Sequence, residues 1–350
     1  MSDPLLNGVL DNTQLPHQPF LLITDTVTFS GIPVFRELVQ RALSRHAPTV
    51  LISVLHPPDA YVTQEQLRNS SLKVLDLTDE TPGFSSAPAK EIGSRILPFH
   101  EDLPPGGQVF IDAIDVLASD YSPPSTLRLV RTLLKQILAS KPPSRLTLLL
   151  PSSSNFLPPL LSPSLSPTLT HLHAHPPSLI SHLSEIYLQP VTSAPAFWMI
   201  IENCKTRGLG DDLAFRGESA VSPNWGRGDS RSQSTSGAVV QVLVRKAAGG
   251  TKGMSRSLEG LSVSTDGLST TPLSSLLSIN PTPRPSHSHL VTKNAPADHT
   301  ELNLPFNLTL TEEQKKQRGG VVLPYAHEGE GGTGLAWEDE EEDDEDDEEI

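Results

Sequence analysis

The sequence predicts an α/β domain with a mainly parallel sheet, followed by long segments that cannot build a core. The order strand, helix, strand recurs from residue 20 to residue 150, the pattern of parallel strands joined by covering helices. Among 350 residues there are 33 prolines and 23 glycines but only 5% aromatic residues, too few large side chains to fill several cores. The formal net charge of −15 is also local, because residues 338–349 are twelve consecutive acidic residues and the remainder is close to neutral. Like charges in a run repel one another and stay solvated, so a disordered acidic tail is expected over 326–350.

Residues 1–19, polar and punctuated by proline, read as a flexible arm, and the α/β domain is expected over 20–264. FLLIT at 20–24 is a short apolar strand. Pro33 then suits the first turn of a helix whose Val34, Phe35, Leu38, Val39 and Ala42 recur at helical spacing. TVLISVL at 49–55 and LKVLDL at 72–77 have the length of buried strands. QVFIDAIDVL at 108–117 reads as another strand, residues 125–140 as a helix and RLTLLL at 145–150 as a strand.

Beyond residue 150 the periodicity weakens. Residues 151–167 read as a serine- and proline-rich loop, with a short helix and then a strand near 186–191 expected after them. Residues 196–205 fit helix and strand equally, since a short apolar run does not separate the two. A mobile loop is expected near 206–236, rich in Gly, Ser, Asp and Arg. AVVQVLVRK at 238–246 is a strand that turns into a hairpin with 257–264, an antiparallel extension at one sheet edge. Residues 265–300 have the Ser/Thr/Pro composition of a disordered linker.

Several chemistries are weighed and set aside. A phosphate cradle after the first strand needs glycine-freed amides, a lysine and a Ser/Thr for Mg²⁺. The loop TDTVTFSGIP has one glycine, no lysine and a proline, and reads as an ordinary strand-to-helix connection. Asp112, after an apolar run and followed by Asp115, resembles the magnesium-associated carboxylate of nucleotide hydrolases, but hydrophobic strands ending in Asp are common. A structural strand end is the favoured reading, and a nucleotide-binding ATPase using Asp112 is the alternative. His171, His173 and His175 would share one face if extended; a zinc site would still need a fourth ligand and supporting partners, so they read as solvated loop histidines. Neither a metal nor a cofactor is expected.

Cys204 is the only cysteine and has no nucleophile signature around it, so it reads as a small buried hydrophobe in a chain without an intrachain disulfide. The start MSDPLLNGVL lacks secretory features, and the apolar stretches fall short of the ~20 residues that cross a bilayer. An intracellular protein with no membrane anchor is expected. Positive charge collects between residues 205 and 256, where nine Lys and Arg face four acidic residues. Arg207, Arg216, Arg227, Arg231, Arg245, Lys246, Lys252 and Arg256 are the candidates for contact with an RNA backbone, with Trp225 able to stack on an unpaired base. A solubilising surface loop is the plainer reading of the same cluster.

In residues 305–325, PFNLTLTEEQKKQRGGVVLPY, Phe306, Leu308 and Leu310 alternate like an edge-adding strand, Thr311 with Glu312, Glu313 and Gln314 suits a capped helix start, and Val321, Val322, Leu323 and Tyr325 form a second apolar anchor. An apolar clip between a linker and an acidic tail needs a surface to bury against, so 301–325 is expected to bind a partner. With GEGGTG and the acidic end, this stretch resembles the C-terminal signature of the Elongator complex protein 5 family. FLLITDT, TVLISVL, VFIDAID and KGMSRSLEGLSV are similar to that family too. The resemblance implies a RecA-like fold without a working phosphate-binding loop. It also implies a cytoplasmic and nuclear scaffold subunit with no catalytic site, joining Elongator complex proteins 4 and 6 in a hetero-hexameric ring. Such a ring binds tRNA and supports wobble-uridine (U34) modification by the catalytic Elongator subcomplex. The proline-rich 151–167 and the long 206–236 and 265–300 segments look like expansions relative to the family.

Overall fold

The computed structural model describes residues 5–80, 92–101, 104–140, 143–208, 237–247, 253–264 and 267–278. Arg216, Arg227, Arg231, Lys252, the linker beyond 278, the apolar clip from Phe306 to Tyr325 and the acidic tail lie outside these residues. The expected α/β architecture is observed: a mainly parallel central sheet flanked by helices, with an antiparallel extension.

The elements in chain order are α1 (Leu5–Leu10), β1 (Phe20–Asp25), α2 (Ile32–Ser44), β2 (Thr49–Ser53), β3 (Leu72–Asp76) and α3 (Ile92–Glu101). Then come β4 (Gln108–Ile111), α4 (Ile114–Tyr121), α5 (Pro123–Ala139), β5 (Arg145–Pro151), α6 (Leu157–Leu161) and β6 (Leu169–His175). The described chain continues through α7 (Pro177–Tyr187), α8 (Pro195–Thr206), β7 (Gly237–Arg245), β8 (Met254–Ser264), β9 (Gly267–Thr271) and α9 (Leu273–Ser278). The strands lie in the order β3-β2-β4-β5-β1-β6-β7-β8-β9. Pairings from β3 through β6 are parallel, and those from β6 to β9 antiparallel.

Because helices cover both faces, the central strands are apolar on both sides. Leu21 and Ile23 of β1 face α1 and α2, where Leu6, Val9, Phe35 and Leu38 bury. Phe20 and Leu22 face the other way, with Leu146 and Leu148 of β5, onto Leu117, Val130 and Leu133 of α4 and α5. Further along the sheet, α7 and α8 cover Val239 and Leu258 through Ile180, Leu183, Phe197 and Ile201. Each such side chain, fully buried, contributes about 1.5–3 kcal/mol.

Five expectations are corrected. The first 19 residues are not all a flexible arm: α1 docks Leu6, Val9 and Leu10, and the carboxylate of Glu259 accepts the amides of Leu5 and Leu6 at 2.8 and 3.1 Å. These anchors lie some 250 residues away, which local composition cannot register. Residues 108–117 are not one strand, because Ala113 adopts a left-handed conformation (φ 40°) and turns the chain from β4 into α4 directly after Asp112. The short helix expected after 167 is α7, buried through Leu179, Ile180 and Leu183, but it runs on through Tyr187 and no strand forms near 186–191. The loop over 151–167 contains α6, whose Leu160 is buried. The domain also runs past 264 into β9 and α9, where Leu268 and Leu276 bury despite the linker-like composition. Residues 196–205, left open by periodicity, belong to the helix α8.

No helix among the described residues is long and apolar enough to cross a membrane.

Candidate functional site

In open α/β sheets, ligands bind outside the carboxyl ends of the strands where the strand order reverses. Here that position is bordered by the loop after β1, the end of β2 and the turn after β4. A phosphate cradle would present the amides that open α2 to a ligand. Instead, the amide of Gly31 donates to Asp25 Oδ2 at 2.9 Å, that of Ile32 to Ser30 Oγ at 3.1 Å, and that of Phe29 to Thr26 Oγ1 at 3.1 Å. The residue at 31 must be small: a Cβ there would lie 3.1–3.2 Å from Leu149, Asp25 and Ile23. The loop is therefore closed on itself and carries its own anion. Burial raises the Asp25 carboxyl to about 6; the Gly31 amide opposes this and neighbouring Asp115 adds to it. Asp115 is itself raised, chiefly by burial.

Asp112 has no exposed surface, and its carboxylate holds the end of β2. Oδ1 accepts the amide of Val54, while Oδ2 accepts the amide of His56 at 3.0 Å and the Tyr61 hydroxyl at 2.8 Å. Burial and the adjacent carboxylate push the Tyr61 phenol upward, so it stays a donor. His56 Nδ1 approaches the same oxygen at 3.4 Å. With both oxygens engaged, Asp112 is a structural tie between β2 and β4.

The histidines are the clearest departure from the sequence reading. They are not solvated loop residues but alternate positions of β6, which lies between β1 and β7 within the sheet. Thr170, Leu172 and Ala174 point into the core beneath α2, and the three imidazoles line a cleft of about 660 Å³ on the opposite face. Thr24 Oγ1 lies 2.8 Å from His171 Nε2 and 2.6 Å from His173 Nδ1. His175 Nε2 lies 3.1 Å from Gln241 Oε1, and Gln241 Nε2 donates to Glu202 at 2.8 Å. The Glu202 contact orients the amide, so His175 carries its proton on Nε2. Burial, the leading cause for all three, lowers His171 and His175 to about 3 and His173 well below the usual value. The imidazoles are neutral at physiological pH. Among the described residues no three His, Cys, Asp or Glu side chains converge to hold a metal ion.

Four RNA-contact candidates fall within the described residues, and they differ in kind. Arg245 is used internally: its guanidinium donates to the carbonyls of Leu161, Ser166 and Pro167 at 2.8, 2.8 and 3.3 Å. Lys246 closes the β7–β8 hairpin through its backbone amide, which donates to the Gly253 carbonyl at 2.7 Å. Arg207, at the end of α8, is exposed, as is Arg256, whose guanidinium lies 5.7 Å from the Trp198 ring centre. Lys205, absent from the RNA-contact candidates, lines the cleft and pairs with Glu202 at 3.3 Å. Cys204 is buried, as expected of a small hydrophobe. Sequence reasoning missed the cleft because its wall joins β6, α8 and the β7–β8 hairpin; the alternating His-x-His-x-His was the one local signal.

A model of the family described as Elongator subunit Iki1 matches residues 5–336. No curated protein matches the chain. Among solved structures, the chain is similar to a KaiC-like protein from the hyperthermophilic archaeon Pyrococcus horikoshii OT3. Identity is 10%, the match covers 73% of this chain and 91% of that one, and the TM-score is 0.41.

Proposed function

The chain belongs to the Elongator subunit Iki1 family, and from that membership we propose that it is a non-catalytic accessory subunit. It joins Elongator complex proteins 4 and 6 in a hetero-hexameric ring, binds tRNA within that ring and supports wobble-uridine modification carried out by the catalytic subcomplex. Its place of action is the cytoplasm and nucleus. The observation that supports a scaffold over an ATPase is the closed loop after β1. The amides of Phe29, Gly31 and Ile32 are satisfied by oxygens of the same loop, and the Asp25 carboxylate holds the residue that leads into α2. A triphosphate would meet that carboxylate and find Asp112 engaged by Val54, His56 and Tyr61.

Capture of tRNA in this reading is electrostatic: solvent-facing cations such as Arg207 and Arg256, with the basic residues of 209–236, neutralise phosphates. The clip from Phe306 to Tyr325 anchors the chain to a neighbouring subunit.

Co-expression with Elongator complex proteins 4 and 6, followed by mass determination of the intact assembly and a tRNA titration, tests the proposal. A hetero-hexamer is expected, with affinity falling steeply between about 50 and 200 mM salt. Removal of 301–325 should weaken assembly, and undiminished co-purification would remove the clip from the proposal. A monomer without RNA binding would overturn the reading as a whole. Magnesium-dependent nucleotide binding by the isolated chain, lost in Asp112→Asn, would instead establish the ATPase alternative.

A further inference from the structure

We propose that the cleft along β6 is a binding site for a small organic anion, one that carries a carboxylate or phosphate head on an apolar body. A strand buried within a sheet is normally apolar on both faces. β6 places Leu172 and Ala174 beneath α2, and on the other face, after Leu169, every second residue from 171 to 175 is histidine. Sequestering three imidazoles in a sheet interior opposes stability unless their polar atoms find partners.

One of these ring nitrogens is buried without a partner among the described residues. His173 is 1% exposed, lines the cleft, and its Nε2 lacks a hydrogen-bond partner among the described residues. The Thr24 hydroxyl has two acceptors within reach, His173 Nδ1 at 2.6 Å and the Leu172 carbonyl at 3.4 Å, and the shorter contact is the better hydrogen bond. If His171 Nε2 donates to Thr24 Oγ1 and Thr24 donates to His173 Nδ1, then His173 presents Nε2–H to the cleft as a donor. A ligand acceptor at that position selects this arrangement and satisfies the orphaned atom.

The charge of the lining chooses the sign of the ligand. Among the described residues Lys205, Arg245 and Arg256 border the cleft against one carboxylate, that of Glu202, and the histidines are neutral. Leu157, Leu179, Leu183, Trp198 and Ile201 supply the apolar wall. A volume of about 660 Å³ lies within the range of small-molecule sites. The inference does not rest on tRNA binding, although Arg256 serves in both, since a cleft of about 660 Å³ has the size of a small-molecule site.

Calorimetric titration of the full chain with 1-naphthoate, phenyl phosphate, the uncharged 1-naphthylmethanol and inorganic phosphate tests the site. Saturable binding of one molecule of naphthoate or phenyl phosphate is expected, with the alcohol and free phosphate weaker by about tenfold or more. Arg256→Gln, at an exposed position, and Lys205→Met should each weaken the organic anion by about tenfold, and His173→Phe should abolish binding by filling the space and removing Nε2. A preference for naphthoate over phenyl phosphate, or the reverse, identifies the head group. The proposal is overturned if neither anion saturates below about 1 mM, if the alcohol binds as well, or if both cation variants bind like the unmodified chain.

Discussion

The amide of Gly31, the residue that leads into α2, donates to the carboxylate of Asp25 at 2.9 Å, so the loop before the helix holds an anion belonging to its own chain. The Asp25 carboxyl is raised from 3.8 to about 6. A folded-state value above the unfolded one gives a contribution that is complete below pH 3.8 and is lost as pH rises through about 6. Asp25→Asn, which keeps an oxygen for Gly31, should therefore raise stability at pH 7.5 by about 1–3 kcal/mol and change little at pH near 3.5. Urea denaturation of both chains at the two pH values checks this.

Asp112 should behave as a structural anchor. Asp112→Ala leaves the buried Val54 amide and Tyr61 hydroxyl, and the partly buried His56 amide, without their acceptor. With about 1–3 kcal/mol for each buried group left unsatisfied, the loss should reach several kcal/mol, against about 1–2 for Tyr61→Phe. Chemical denaturation measures both. Full stability in Asp112→Ala would contradict the anchoring role.

The three histidines oppose Asp25 in their dependence on pH. Each is held below its ordinary value of 6.5, so its contribution is present above that pH and is lost as pH falls toward about 3 for His171 and His175. His173 and His175, which are fully buried, each contribute a slope of up to about 1.4 kcal/mol per pH unit, partly exposed His171 less, and together they outweigh the single Asp25. Stability should fall steeply between pH 6.5 and 5, and His175→Gln should remove about a third of that slope. Midpoints of urea unfolding across this range give the slope directly.

The β7–β8 hairpin is held against α9 at two glycines. A Cβ at Gly237 would stand 2.2 Å from the Leu261 carbonyl oxygen and 2.7 Å from Leu276, and one at Gly260 would meet Leu276 at 2.5 Å. Gly237→Ala should therefore displace the strand or α9 and destabilise the fold by about 1–3 kcal/mol or more. Loss of amide-exchange protection in residues 267–278 is the sensitive readout. Unchanged protection would show that the contact yields without effect.

Docking of α1 depends on Glu259, whose carboxylate accepts the amides of Leu5 and Leu6 at 2.8 and 3.1 Å. Six residues are too few for an autonomous helix. Glu259→Ala should release α1, costing about 1–2 kcal/mol, with exchange protection lost first at residues 5–10. Protection that survives would place the anchor elsewhere, with Arg145 Nη1 donating to the Val9 carbonyl at 2.6 Å as the next contact to remove.

Local pattern determined most of the parallel half of the molecule. FLLIT, TVLIS and RLTLLL are short β-rich apolar runs, and 32–44 has one apolar stripe opened by Pro33; these preferences operate within a few residues of chain and leave a trace in it. The defective phosphate loop was legible for the same reason: one glycine and no lysine exclude the cradle before any folding. Long-range contacts decided the rest. Leu169–His175 became a strand because β1 and β7 supply its hydrogen-bond partners, and the histidines became buried because α8 and the β7–β8 hairpin close over them. Arg245 became a tie for three carbonyls, and α1 a docked helix, only when distant residues arrived beside them. Backbone preference is a property of a few neighbouring residues, whereas burial, charge state and the walls of a cleft belong to groups that folding alone brings into contact.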